Sequence, residues 1–242
     1  MEPVGERADG PPLGLIGGAG VGAAARLYSD VAMRVREASG ALPQIALWNL
    51  PFSDALEQAF VGGGPDGDAA TEAERLVAQA IDRLLDAGAT VIAMPCNSLQ
   101  AVAARLAQRR SVPFIDMIAA TLAAVRASSH RSAVLLATDA TQAAGIYEGH
   151  GVEILAPPSE LRPELAALIV RAVEGPPPGA AELGRLVERA RRPQASVVLG
   201  CTDICGLLES EDADVVDSLA CLVGSCADAL GVPASVAAPG DS

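Results

Sequence analysis

Lysine is missing from this chain of 242 residues, in which all 17 basic side chains are arginine. An internal pyridoxal phosphate aldimine needs a lysine amine, as does the Walker phosphate loop, so neither can be built from the chain's own residues. Aromatics are nearly missing too, at 2%. Their scarcity rules out a stacking platform for single-stranded nucleic acid and leaves the core to Ala, Val, Leu and Ile. Positive charge is in deficit: the net charge is −13, whereas phosphate binding draws on basic patches. A small anion held in a local pocket is still admissible. No apolar run approaches about 18 residues free of charge and turn formers, so no membrane span is expected. The opening MEPVGERADGPP is charged early and has no apolar core, unlike a secretory signal. Five cysteines form no dense regular framework of the kind found in small secreted domains, which places the chain in a reducing cytoplasm.

What is present is an aliphatic chain with a repeated order. Half the residues are hydrophobic (50%) and 19% are charged, enough to bury a large core in one domain or in two of about 100–120 residues. Strand-like runs stand at 13–17, 44–48, 90–94, 113–116, 132–137, 152–155, 196–199 and 214–217. Between them, segments such as 69–87 carry apolar residues at helical spacing, with charges on the other face. This alternation predicts βα units and parallel sheets. The series also repeats, LGLIGGAG, IALWN, VIAMPCNS and FIDM answering to VLLATDAT, VEIL, VVLGCTD and VVDS. The expected fold is therefore α/β, with two pseudo-symmetric lobes, each a parallel sheet flanked by helices, and the active site in the inter-lobe cleft. Residues 13–112 plus 219–232 are assigned to the first lobe and 113–218 to the second. Segments 1–12 and 233–242 are expected to be flexible tails, and 61–67 and 175–179 loops.

In open parallel sheets, ligands bind beyond the carboxyl ends of the strands. Two cysteines stand there in near-matching contexts: Cys96 between Pro95 and Asn97-Ser98, and Cys201 between Gly200 and Thr202-Asp203. Either alone fits a buried structural thiol. Their duplication favours chemistry, since helix-start amides and nearby hydroxyls stabilise a thiolate or hold a carboxylate. Cys205, expected about one turn into a following helix, is assigned to core packing with Cys221 and Cys226. Those spacings lack the paired knuckles of a zinc site, and with 2 histidines no metal is expected. The run GLIGGAGVG lacks strict dinucleotide spacing, and the next strand ends in Trp48 and Asn49 rather than an acidic residue for a ribose. A backbone cradle for a carboxylate fits it better, and no cofactor is expected. His130 and His150 are read as surface groups. Asp139, Asp203 and Asp217 each follow a strand, where a pocket role and a helix cap both fit.

Taken together, IGGAG, MPCNS, LLATDAT, GIYEGHGVEIL and GCTD resemble the motifs of the aspartate/glutamate racemase family, aspartate racemase branch, over most of the chain. The resemblance implies a homodimer and cofactor-independent racemisation: one thiolate removes the α-hydrogen, and the opposite thiol delivers a proton to the other face. It makes Cys96 and Cys201 the two bases, and Asn97, Ser98, Thr138, Thr141 and Thr202 the binders of the α-carboxylate and amino group. Asn49 and Asp203 complete the candidate substrate-binding set. Reacting atoms approach to about 3–3.5 Å, so two sulfurs flanking one carbon should lie on the order of 7 Å apart. That is too far for a disulfide, and one sulfur must be ionised while its partner stays protonated.

Two basic positions of the family are changed. Ala55 stands where aspartate racemases carry an arginine, and Pro163, with Arg162 beside it, stands where they carry a lysine. By the resemblance those cations hold the substrate's side-chain carboxylate through charge-assisted bonds. Ala19, Val21 and Gly22 are smaller than the family's usual first-turn residues, Asp203 replaces a glutamate, and Gln100 replaces a histidine. The expected activity is racemisation or epimerisation of an amino acid or modified amino acid, not necessarily aspartate. The alternatives are a thiol-assisted isomerase, decarboxylase or other rearrangement of a small carboxylic acid, and a non-catalytic small-molecule binding protein. The expected partner is a small amino-acid-like molecule, with no nucleic acid and no membrane.

Overall fold

The computed structural model describes residues 10–232 apart from 19, 54, 57–58, 60–66, 129, 176–177 and 209–211. Among the described residues the strands form two four-stranded parallel sheets of equivalent order. In the first, β1 (Leu13–Gly17), β2 (Ile45–Asn49), β3 (Val91–Ala93) and β4 (Phe114–Ile115) run β2-β1-β3-β4. In the second, β5 (Ser132–Leu136), β6 (Glu153–Leu155), β7 (Ala195–Leu199) and β8 (Val215–Asp217) run β6-β5-β7-β8. Each central strand registers with both neighbours, Leu13 opposite Ile45 and Val91, and Ser132 opposite Glu153 and Ala195.

Helices cover both faces of each sheet, which is why the strands read as continuous apolar runs. Successive side chains nevertheless enter different clusters. Leu13 and Leu15 pack with Leu27, Val31 and Val35 of α1 (Val21–Ser39), whereas Ile16 packs with Val77, Ala80 and Ile81 of α2 (Gly67–Asp86). In the second sheet, Val197 and Leu199 join Leu165 and Leu168 of a helix at Arg162–Glu174 and Leu186 of one at Ala180–Ala190. Val198 turns to Leu122 and Val125 on the other face. Each such burial contributes about 1.5–3 kcal/mol.

The chain enters a helix directly after the last strand of each sheet. With α3 at Gln100–Arg109, the helix after β4 is α4 (Met117–Ala127), capped by Asp116, whose Oδ1 accepts from Ile118 N at 2.8 Å and Ala119 N at 3.0 Å. With α5 at Asp139–Ala143, α6 at Arg162–Glu174 and α7 at Ala180–Ala190, the helix after β8 is α8 (Ser218–Ala229). Asp217 caps it, accepting from Ala220 N at 2.9 Å, so the cap rather than the pocket accounts for this aspartate. Helix α8 packs against α4 and back against α1.

The sheet boundary differs from the expected one at 112/113. Phe114 pairs with Ile92 and Ile115 with Ala93, so β4 belongs to the first sheet, where it satisfies the outer edge of β3. The chain leaves the first sheet only through α4. The expected tails at 1–12 and 233–242 and loops at 61–67 and 175–179 fall largely outside the described residues, as does Ala19. Among the described residues no helix is long and apolar enough to cross a membrane.

Candidate active site

Strand order reverses at β1 in one sheet and at β5 in the other. The crevice at such a switch point lies past the carboxyl ends of the strands on either side of it, here β1 and β3, and β5 and β7. The loops that follow these strands hold Gly20, Cys96, Thr138 and Cys201, and all four line one cavity of about 480 Å³, open solvent included. Asn97 and Ser98 from the first lobe, and Thr141, Thr202 and Asp203 from the second, complete its polar wall. Asn49 stands apart. It is exposed at the end of β2, one strand further from the switch, and its Nδ2 donates to Leu50 O at 3.3 Å.

Cys96 is half-buried and sits at the start of a 3-10 turn, Asn97–Leu99, that runs straight into α3. Gln100 braces this bend from below. Its Nε2 donates to Met94 O at 2.6 Å and to Cys96 O at 3.3 Å, while its Oε1 accepts from Met117 N at 3.2 Å. The glutamine is thus a buried backbone tie between the Cys96 loop and the first residue of α4.

Cys201 lies in a different setting. The helix expected to carry Cys205 does not form: residues 201–207 are successive turns, with Ile204 N donating to Cys201 O at 3.1 Å and Cys205 N to Thr202 O at 3.3 Å. The carbonyls that a helix would use are engaged from the other lobe, where Arg26 on α1 donates through Nη2 to Thr202 O at 3.1 Å and through Nη1 to Cys205 O. Gly206 closes the turn at a φ of 67°, its N–H donating to Asp217 Oδ2 at 2.6 Å. Cys205 is fully buried, with Sγ 3.4 Å from Leu199 O, in keeping with a packing role. All five cysteines are thiols, and none is in a disulfide.

The Asp203 carboxylate governs the electrostatics. Cys201 Sγ donates to Asp203 Oδ2 across 3.8 Å. Burial pushes the Cys201 thiol well above the ordinary thiol range, and the charges of Asp203 and Cys96 push it the same way. The other carboxylate oxygen approaches the turn after β1: a Cβ on Gly20, where φ is 86°, would lie 2.5 Å from Asp203 Oδ1. The backbone turn that the sequence offers as a carboxylate cradle therefore faces the protein's own carboxylate.

Hydrogen bonds cross the cleft on both sides of the thiols. Thr202 Oγ1 donates to Pro95 O at 3.0 Å, which commits that hydroxyl proton to the lobe contact. Ser98 Oγ lies 3.0 Å from Thr141 Oγ1, which accepts from Thr138 Oγ1 at 3.1 Å. Thr138 also caps α5 by accepting from Thr141 N at 3.1 Å. Tyr147, fully buried, donates to Asn97 Oδ1 at 2.5 Å and fixes that amide. Asn97 Nδ2 is left without a hydrogen-bond partner although Asn97 is only 4% exposed.

Sequence reasoning missed the cavity's apolar wall: Phe52 after β2, and Ile169 and Val173 one turn apart on α6. Their helical spacing marks a buried face but not what it confronts. Arg162 lines a neighbouring hollow with Asp139 and Gln142, and Ala55 is exposed. His130 sits away from the cavity with Nε2 3.0 Å from Asp214 Oδ1, and His150 is exposed.

The same architecture recurs among solved structures. A Yersinia pestis protein assigned to the Asp/Glu racemases superposes with a TM-score of 0.72 at 21% identity, covering 91% of this chain and 99% of its own. The aspartate racemase of Picrophilus torridus gives 0.66 at 20% identity, with 92% and 95% covered. Unliganded arylmalonate decarboxylase gives 0.57 at 19% identity, with 91% and 93% covered. At these identities the likeness is one of fold. In sequence, the family model described as Asp/Glu/Hydantoin racemase matches residues 16–226. Because that match runs from the first strand into the last helix and takes in both cysteine loops, the chain belongs to the Asp/Glu/hydantoin racemase family.

Proposed function

We propose that this protein is a cofactor-independent racemase or epimerase of an amino acid or modified amino acid, with Cys96 and Cys201 as its acid/base pair. The reading is carried by two thiols in equivalent loops of opposite lobes that line one cavity. Their surroundings set opposite protonation states. Cys201 is the thiol, held neutral by burial beside Asp203. Cys96, at the start of a turn leading into α3, is the thiolate, favoured by the helix-start amides.

In the forward direction Cys96 takes the proton from Cα, and the C–H electron pair delocalises into the α-carboxylate. Asn97 Nδ2, the unpartnered buried donor, receives that carboxylate as negative charge builds on it. The hydroxyl chain supports the same end of the substrate. With Thr138 donating to Thr141, the Thr141 proton goes to Ser98, and the Ser98 proton is left to point at the ligand. Asp203 faces the α-amino group. Cys201 then gives its proton to the opposite face of Cα and becomes the thiolate, while Cys96 is left as the thiol; the reverse turnover restores the starting pair.

Cys96→Ser and Cys201→Ser should each lower racemisation about 10²–10⁴-fold, the usual contribution of a positioned acid or base. Chiral chromatography together with deuterium uptake at Cα in D₂O measures this. Normal inversion by either variant would remove that residue from the mechanism. Release of CO₂ without inversion would move the protein to decarboxylation, and ligand binding without either would make it a binding protein. We further propose a homodimer in the cytoplasm, tested by light scattering. Among the described residues, Val21, Tyr28, Leu42 and Trp48 are large apolar side chains left exposed for such a contact.

A further inference from the structure

We infer that this cavity takes a substrate with one carboxylate and an uncharged, apolar side chain, and that it rejects dicarboxylic amino acids. The inference rests on the proposed racemase reading for the placement of Cα between the thiols, but its main support is the charge and polarity of the walls.

Among the described residues lining the cavity none is basic, and the one ionisable group besides the two thiols is the Asp203 carboxylate. The chain has no lysine, and the residues outside the described set contain a single arginine, Arg7. A second substrate carboxylate would therefore enter a desolvating site with no cation to pair with and a fixed anion already present. The glycine turn after β1 is not free to receive it, because Asp203 Oδ1 approaches at Gly20. The side-chain donors that remain, Asn97 Nδ2 and the Ser98 hydroxyl, belong to successive residues and match the needs of one carboxylate.

The rest of the lining is apolar and comes from both lobes. Phe52 follows β2, and Ile169 and Val173 stand on one face of α6. An aliphatic or aromatic side chain directed there removes its surface from water, whereas a carboxylate there loses its hydration without replacement. Asp203 and an α-ammonium group complement each other in charge. The whole ligand, one carboxylate, one ammonium and one apolar group, thus matches three separate parts of the wall. Arg162 is the cation nearest in the sequence to the changed position at Pro163, but it is exposed in the adjoining hollow, where it shares the lining with Asp139.

The test is protection of Cys96 from iodoacetamide in the intact protein, read by peptide mass spectrometry. Leucine, phenylalanine, aspartate and glutamate are compared in both enantiomers, with Cα deuterium uptake recorded in parallel. Leucine and phenylalanine should protect, and aspartate and glutamate should need about 10²-fold higher concentration, the equivalent of losing charge-assisted bonds. Arg162→Ala should leave that ratio unchanged. Equal or better protection by aspartate or glutamate overturns the inference, as does protection by neither class. If Arg162→Ala abolishes protection by aspartate, the missing cation is Arg162. Protection by leucine or phenylalanine with no deuterium uptake leaves the ligand class standing and defeats the racemase reading instead.

Discussion

After β3 the chain enters helical structure at once, with Cys96 at the first bend and Gln100 tying the loop from beneath. After β7 the equivalent cysteine leads into turns whose carbonyls are held by Arg26 from the opposite lobe, and an aspartate stands two residues on. Strand order, loop position and thiol are duplicated, whereas the groups that decide protonation are not. Two identical, interacting thiols would also hold a single proton over some pH range, but either could carry it; unlike surroundings bias that proton to one side. Duplication thus supplies the two loops, and on the proposed mechanism their divergence keeps the proton on Cys201.

The largest expected effect tests whether burial is what keeps the thiols of the second loop and its neighbours neutral. Cys201 and Cys205 are raised by desolvation, and so are Cys221 and Cys226, each pushed up to about 12. Below the unfolded thiol value of roughly 8.5, native and unfolded chains keep the same protons and stability does not respond. Above it the unfolded chain releases protons that the native chain retains, so the unfolding free energy falls as pH rises. Each thiol takes away up to about 1.4 kcal/mol per pH unit, and the four together about 5 kcal/mol between roughly pH 9 and 10. Urea unfolding across that window measures the slope. Cys226→Ala should flatten it by about a quarter, and a pH-independent midpoint would remove burial as the cause.

Next in size is the clasp from α1. Arg26→Ala leaves the carbonyls of Thr202 and Cys205 without their charged donor, at a cost of about 2–3 kcal/mol for a partly buried site. The change should lower stability in urea and reduce turnover while leaving Cys96 alkylation unaltered. Arg26→Lys, which retains one donor, should recover part of both losses. Equal alkylation changes at Cys96 and Cys201 would mean that Arg26 holds the whole fold rather than one loop.

The central strands β1, β3, β5 and β7 were legible because both of their faces are buried, so a short aliphatic run has little else to become. The cysteine loops were legible through repetition, and Ser98, Thr138 and Thr141 through the motifs around them. The second loop was misread at Cys205 because its turns depend on Arg26, separated from Thr202 by 176 positions. No local pattern reports such a contact. Phe52, Ile169 and Val173 were invisible for a similar reason: an apolar residue facing a cavity and one facing the core carry the same periodicity. The run FIDM reads as a strand and as the close of the first series, and the pairing of Phe114 and Ile115 with β3 agrees with that series rather than with a lobe boundary at 112/113.

The smallest effect bears most directly on the contrast between the loops. Asp203→Asn keeps the side chain's size beside Cys201 and removes its charge. Burial is the larger cause of the raised Cys201 thiol and Asp203 the next, so the thiol should remain above its ordinary range but move down. A nearby like charge is worth on the order of 1 pH unit at this separation, or about 1.4 kcal/mol. At fixed pH the rate of Cys201 alkylation follows its thiolate fraction and should rise about tenfold. KM should rise, because the α-ammonium loses its counter-charge. Alkylation of Cys96, in the other loop, should keep its rate. Equal rises at both cysteines would mean that Asp203 acts on the cavity as a whole, and an unchanged rate at Cys201 would mean that Asp203 does not help to hold its proton.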